Sequence, residues 1–423
     1  MEISTTALLA TICFFGALLH SLSATAIERF SQRFRHRTVF FTFLHFAAEI
    51  EIIFALWAGL YVVSLALTLG FQPSLEWLDQ RNFSEAVFVF AIMTMAATRP
   101  IIEMAETIVN RLAHCVPTAR TQASYWITLV VTPILGSFIT EPAAMTVAAL
   151  LLKKQIFDRT TNQRLLYSTI ATLFVNVSIG GTLTSFAAPP VLMVARVWSW
   201  DSLHMLQNFG WKAAIAVVIN ASIALFLNSK ELKKIAGHDF TKLSFKPPVS
   251  PWIKMIHIAF VAITILTLHH PAFVFGLFIF FIGFTQATSF AQTPLKIKES
   301  LLVAFFLAGL VVLTAEQGWW LTPLLAQLQD FTLFAGATGL TAITDNAALT
   351  SLAAQVSNIT DASKYAVVAG AVAGGGLTLI ANAPNPAGYA ILRDHFKDGI
   401  RPGLLFAYAL LPTLIAGVFL WMM

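Results

Sequence analysis

Charge is what this chain lacks most. Only 11% of its 423 residues are Asp, Glu, Lys or Arg, against roughly a quarter in a soluble domain, while 57% are hydrophobic. No polar block is long enough to fold by itself, which excludes the two or three soluble domains that the length would otherwise suggest. Cysteine is nearly absent. Cys13 and Cys115 lie far apart, form no metal-ligand spacing and exclude a disulfide scaffold. The chain has no His-Glu-x-x-His, no Gly-x-Ser-x-Gly and no ATP-binding loop, which argues against an intramembrane enzyme and against primary pumping. The net charge of +5 is no nucleic-acid signal, because the Lys and Arg sit in short loops between apolar runs.

What is present is hydrophobic length. Apolar stretches recur at the roughly 18 or more residues that a helix needs to cross about 30 Å of hydrocarbon. Full spans are predicted at 5–27, 40–69, 84–109, 165–195, 208–228, 252–269, 271–290, 300–316, 365–392 and 402–422. Two further stretches, 121–152 and 322–356, are too long for one span, too short for two, and polar near the middle. They are predicted to be re-entrant hairpins, since irregular backbone at that depth is tolerated only inside protein or along a wet cavity. Met1-Glu2 supply no basic leader and Arg29, Arg33, Arg35 and Arg37 follow the first run, which predicts a retained span rather than a cleaved signal.

The distribution of basic residues tests this layout. With each hairpin counted as a non-crossing, the loops 28–39, 110–120, 153–164, 229–254, 291–299 and 393–401 all fall on one side and hold 21 of the 26 Lys and Arg. That side is the cytoplasm by the positive-inside rule, so both termini are predicted outside, with the first hairpin opening inward and the second outward. The basic segment 229–250, with Pro247-Pro248, divides the chain into 1–228 and 251–423. Each half reads as three spans, a hairpin, a long span and a last span. Five crossings is odd, so the second half is inverted. The expected fold is an all-α polytopic membrane protein of two inverted-topology repeats, with about ten full spans, two hairpins and two broken helices, the plan of secondary transporters.

The repeat is visible in the residues. Ile139-Thr140-Glu141-Pro142-Ala143-Ala144-Met145-Thr146 matches Ile343-Thr344-Asp345-Asn346-Ala347-Ala348-Leu349-Thr350, acid against acid. Gly180-Gly181-Thr182-Leu183-Thr184 matches Gly374-Gly375-Gly376-Leu377-Thr378, and prolines follow both, at Pro189-Pro190 and at Pro384-Asn385-Pro386. Glycines ease unwinding and prolines stop the helix from continuing. A hairpin tip and an unwound span meeting near the midplane make a polar pocket.

Glu141 and Asp345 are the sharpest candidates. A charged, unpaired acid at that depth costs roughly 2.5–3.5 kcal/mol even on a lenient scale. Burial disfavours the charged form of any acid, so such groups are suited to trading a proton for a cation. The plainer role is capping of the short helix after each break. Thr140, Thr184, Thr344, Asn346, Thr378, Asn382 and Asn385 supply neutral oxygens, which hard cations prefer, and sodium is placed at Asp345, Asn346 and Asn382. Arg99 and Glu103, four apart on one helix face, read as a structural ion pair, and Glu49 as a candidate relay. His45, His269 and His270, like Trp77, Trp198, Trp200, Trp319 and Trp320, fit the membrane interface.

These residues resemble the ion transporter superfamily of arsenite pumps, divalent anion:sodium symporters, citrate carriers and D-type sodium/proton antiporters. Ser178-Ile179-Gly180-Gly181-Thr182-Leu183-Thr184 with Ala188-Pro189-Pro190 is similar to its Gly-Gly-Thr…Pro-Pro signature, and Thr344-Asp345-Asn346 to its Asp-Asn hairpin motifs. Asn382-Ala383-Pro384-Asn385-Pro386-Ala387-Gly388 most resembles the sodium/proton antiporter branch. The hairpin tips depart from the Ser-Asn-Thr type of the carboxylate symporters, and Pro189-Pro190-Val191 stands where Pro-Pro-Asn is expected, which disfavours a dicarboxylate. The resemblance implies a homodimer. The expected activity is exchange of a small cation, sodium first, for protons by alternating access in the bacterial inner membrane, with the bilayer and that cation as partners and no cofactor. The alternatives are a carboxylate or oxyanion transporter on the same fold and, remotely, an intramembrane enzyme.

Overall fold

The computed structural model describes residues 4–34, 38–235, 247–396 and 399–422. Residues 236–246 of the expected linker lie outside the described residues, as do Met1, Glu2, Arg35, Arg37 and the side chains of Arg29 and His45. The chain is helical throughout. In order, the helices are α1 (Thr5–Ser31), α2 (Thr38–Ala48), α3 (Ile50–Leu69), α4 (Phe71–Asp79), α5 (Ser84–Ala96), α6 (Arg99–Cys115) and α7 (Arg120–Ile139). There follow α8 (Glu141–Gln155), α9 (Gln163–Gly180), α10 (Pro189–Ala195), α11 (Ser202–Met205), α12 (Trp211–Ile235), α13 (Pro251–Leu266) and α14 (Pro271–Ala287). The last are α15 (Ile297–Thr314), α16 (Gly318–Leu325), α17 (Asp330–Thr341), α18 (Asn346–Ala353), α19 (Asp361–Gly374), α20 (Pro384–Leu392) and α21 (Pro402–Met422).

Among the described residues seven helical segments are long and apolar enough to cross a membrane, and the bent pair α5 and α6 makes an eighth. The difference from ten has local causes. Helices α13 and α14, at 16 and 17 residues, stop just short of a full crossing. The expected span 365–392 is divided between α19 and α20, 40–69 is divided at Glu49 with its second part still long enough, and Arg120–Ile139, half of the expected hairpin 121–152, is itself one of the seven. The expected span 84–109 is not straight but bends by 66°. Thr98 turns its hydroxyl back to the Met95 carbonyl at 2.7 Å, and Pro100 cannot donate the backbone bond that would carry α5 into α6.

The apolar core has two principal parts, and both draw on the two ends of the chain. One gathers α1, α3, α5, α13, α14 and α15, with α10 and α18 against it. The other gathers α7, α8, α9, α12, α17, α19 and α21. Between them the short helices are exchanged: α20 packs on α8, and α10 packs on α18. Residues 165–182 are buried without interruption, so this segment stands at the centre of the molecule.

Helices α17 and α19 approach so closely that a Cβ on Gly370 would collide with the Phe334 carbonyl oxygen and lie 3.0 Å from the Ala337 Cβ. Small residues at such a crossing let backbones meet, the main source of helix association where lipid surrounds protein. Gly370→Ala is expected to force the pair apart and destabilise the protein by about 1–3 kcal/mol, read as a lowered melting temperature in detergent.

Candidate functional site

The site is assembled where four helix breaks meet, at 140, 181–188, 342–345 and 375–383. Helix α7 stops at Thr140, the single residue between it and α8. Thr140 has φ 76° and ψ 151°, a left-handed conformation natural to glycine and strained for a β-branched residue. Its buried hydroxyl has no hydrogen-bond partner. Glycine at this position would remove a strain of about 1–3 kcal/mol and return part of it as backbone entropy. Thr140→Gly is therefore expected to keep or raise the melting temperature, and a large fall would show that the hydroxyl is needed for folding.

Glu141 opens α8 and is completely buried. Its Oε2 accepts from Asn382 Nδ2 at 2.8 Å, while Oε1 has no partner and faces Gly181, where any Cβ would strike it. The glycine thus leaves room for a carboxylate. Asn382 belongs to the break 375–383 between α19 and α20. One hydrogen bond therefore joins acid and amide from opposite ends of the chain.

The two halves of the site are built with the same bonds. Glu141 N–H donates to the Ala187 carbonyl at 3.4 Å, and Asn346 N–H to the Ala381 carbonyl at 3.1 Å. The Thr184 hydroxyl donates to the Ser137 carbonyl at 2.7 Å, and the Thr378 hydroxyl to the Ala342 carbonyl at 2.9 Å. Gly181 faces Glu141, and Gly375 faces Asn346, 2.9 Å from its Nδ2 to a Cβ built there. This register sets Asn346, not Asp345, opposite Glu141. The sequence match of acid with acid is displaced by one residue: Glu141 is the first residue of α8, whereas Asp345 caps α18 from the position that Thr140 holds before α8.

The predicted site residues divide accordingly. Glu141, Asn346, Asn382 and Asn385 are buried together, and Asn385 Nδ2 is committed to the carbonyls of Gly375 and Thr378 at 2.8 and 2.9 Å. Among the described residues, the side-chain oxygens of Asn346, Asn382 and Asn385 and Glu141 Oε1 lack partners, as does Asn346 Nδ2. Buried polar atoms without partners are uncommon, and four oxygens with one formal negative charge suit a hard cation. Asp345 is buried beside them, close enough for its charge to act on Glu141, and its carboxylate accepts from Ala347 N–H at 2.7 Å as the cap of α18. Thr344 lies at the half-buried edge of the break. The hydroxyls of Thr184 and Thr378 brace the unwound segments. No group of three or more His, Cys, Asp or Glu able to hold a metal occurs among the described residues.

Two serines complete the site: Ser137 was not singled out by sequence, and Ser178 entered only as the first residue of the Gly-Gly signature. Ser137 Oγ donates to the Gly180 carbonyl at 2.7 Å and accepts from Leu183 N–H at 2.9 Å, holding the first unwound turn. Ser178 Oγ donates to the Val372 carbonyl at 2.7 Å and touches the space above Gly375. A serine inside an apolar helix gives no pattern of its own, since it ordinarily bonds back to its own turn.

The other charged candidates lie apart. Glu103 accepts from Lys254 Nζ at 2.7 Å and from Val249 N–H at 3.1 Å, with Arg99 at 3.8 Å, and Arg99 also donates to the Pro247 carbonyl. The expected ion pair is present and ties the end of the central linker to the bend of α6. Glu49 pairs with exposed Lys298 at 3.5 Å. His269 and His270 sit in the exposed turn between α13 and α14.

Among solved structures, the YdaH transporter of Alcanivorax borkumensis is similar at 14% identity, with a TM-score of 0.46 over 88% of this chain and 96% of that one. No curated protein sequence matches. The family described as "Putative Na+/H+ antiporter" matches residues 5–423, so the chain belongs to that family of membrane antiporters and is a transporter, not an enzyme.

Proposed function

We propose that the protein exchanges sodium, or a similar small monovalent cation, for protons, with Glu141 as the carboxylate that carries one or the other. The observation that carries this reading is the Glu141–Asn382 bond, with unpartnered Glu141 Oε1 and Asn382 Oδ1 on either side of it. A cation bound between these oxygens replaces the proton that the same carboxylate otherwise holds. Asn346 and Asn385 add neutral oxygens, and Asp345 adds a second negative charge within range. Two acids also repel an anionic substrate.

The wider architecture follows the same reading. The pairs α7/α8 and α17/α18 are re-entrant hairpins opening to opposite sides, α9/α10 and α19/α20 are the broken spans, and 1–228 and 251–423 are inverted repeats joined by 229–250. The matched hydrogen bonds and the exchange of α10 and α20 between hairpins support it. The two core clusters are the two bodies that move against each other, and both termini lie outside. A homodimer in the bacterial inner membrane completes the assembly.

Fluorescence dequenching in proteoliposomes with an imposed proton gradient tests the reading across sodium, lithium, potassium and calcium. Sodium or lithium is expected to dissipate the gradient. Because proton and cation compete for one carboxylate, the sodium concentration for half-maximal exchange is expected to fall as pH rises. A gradient indifferent to all four ions rules the reading out.

A further inference from the structure

Glu85 was not singled out by the sequence, yet it is 6% exposed in the first turn of α5, with both carboxylate oxygens 2.9 Å from Asn82 Nδ2. An acid there favours the helix dipole, which alone explains no more than a fraction of a kcal/mol up to about 1 kcal/mol. Two cavities meet at this residue. One, of about 310 Å³, is lined by Glu85, Ser185, Arg196, Asp201 and His269. The other, of about 170 Å³, is lined by Glu85, Arg81, Arg196, Thr314 and Ser351. Glu85 and Arg196 line both, and exposed Arg196, Asp201 and His269 bring the first cavity to the surface.

The first cavity reaches a helix break. Ser185 lies in the unwound segment between Thr184, bound to the Ser137 carbonyl, and Ala187, whose carbonyl accepts from Glu141 N–H. Ser351 lies on α18, which begins at Asn346, and its hydroxyl meets Thr314 Oγ1 at 2.8 Å. The two cavities thus flank α10, the first beside the segment that bonds Glu141 and the second toward the end of α18 away from Asn346. No ion pair of Glu85 is present among the described residues, although Arg196 is near enough for its charge to act on the carboxylate. Each cavity has room for several waters, at about 30 Å³ per water.

From this placement we infer that Glu85 is a cation-capturing residue at the mouth of the transport path, on the face that the basic-residue count places outside, and that Arg196 is the opposing charge that limits its attraction. The inference rests on the antiport reading for the identity of the ion. A carboxylate at the shared wall of two low-dielectric cavities concentrates monovalent cations before the first break is reached, and the arginines that line the cavities with it, Arg196 in both and Arg81 in the second, prevent permanent occupancy.

The test has two arms. In protein with Cys13 and Cys115 replaced by alanine, Ser185→Cys is exposed from outside to membrane-impermeant thiol reagents of either charge. The cationic reagent is expected to react faster than the anionic one, relative to a free thiol, and Glu85→Gln to reduce that preference about fivefold, with Glu85→Asp retaining it. In exchange assays Glu85→Gln is expected to raise the half-saturating outside sodium concentration about tenfold, again with Glu85→Asp close to the parent. Equal reagent preference in parent and Glu85→Gln, or an unreactive Ser185→Cys, overturns the inference. The labelling arm needs no transport, so a protein that labels as expected but exchanges no sodium refutes the antiport reading and leaves the entry path standing.

Discussion

Glu141→Gln is expected to reduce sodium- or lithium-dependent proton movement by ~10²-fold or more, to the level of protein-free liposomes, a typical effect of losing a group that gives and takes the proton. Glutamine has nearly the same shape, and its amide oxygen still accepts from Asn382 Nδ2, which in the parent holds Oε2 at 2.8 Å. Only the exchangeable charge is lost. Because a charged group is removed from a fully buried site, the variant is expected to be at least as stable as the parent. Loss of exchange with an unchanged or raised melting temperature separates the chemical role from a structural one. A variant that keeps half or more of the parent's exchange would assign the proton to another group.

Asp345→Asn is the second large effect, and here capping and charge act together. Asp345 caps α18 by accepting from Ala347 N–H at 2.7 Å. Asparagine caps a helix as well as aspartate does, whereas alanine costs about 1 kcal/mol. Asp345→Asn is therefore expected to keep the melting temperature within a degree or two of the parent while lowering exchange about tenfold, since one of two charges near the cation is gone. Asp345→Ala is expected to lose both stability and exchange. Were Asp345→Asn fully active and Asp345→Ala merely unstable, Asp345 would be a cap and nothing more, and Glu141 would carry the exchange alone.

The order of these two predictions reverses what residue identity suggests. Read as letters, Thr344-Asp345-Asn346 is the richer motif, with Asn382 and Asn385 downstream. In three dimensions Asn382 crosses to Glu141, and Asn346 stands where Glu141 does in the other half. A match of short motifs carries no information on which residue begins a helix, and α8 begins at its acid whereas α18 begins one residue after its own. The breaks themselves were legible because Gly-Gly, Pro-Pro and an acid inside apolar runs have few structural uses. Membrane class was legible from hydrophobic length alone. The bend at Thr98 was less so, because a proline within an apolar run is tolerated in membrane helices as often as it breaks them. The bracing roles of the serines and the role of Glu85 left no sequence signal, since they depend on which helices are neighbours.

The linker contact shows the same limit. Arg99 and Glu103 were legible as an i,i+4 pair, but the third partner, Lys254, lies about 150 residues away and is brought to Glu103 at 2.7 Å only by the packing of α13 on α6. The pair is therefore one corner of a tie between chain segments rather than an isolated surface bridge.

The central claim is that one carboxylate, Glu141, holds either a proton or a cation, and proton release on cation binding tests it most directly. Purified protein in weakly buffered detergent solution is titrated with sodium chloride while the pH is followed, with choline chloride as the control. The parent is expected to release protons saturably on sodium addition, and Glu141→Gln to release none. Equal release from both proteins, or none from the parent at any pH where it exchanges sodium, would contradict the account.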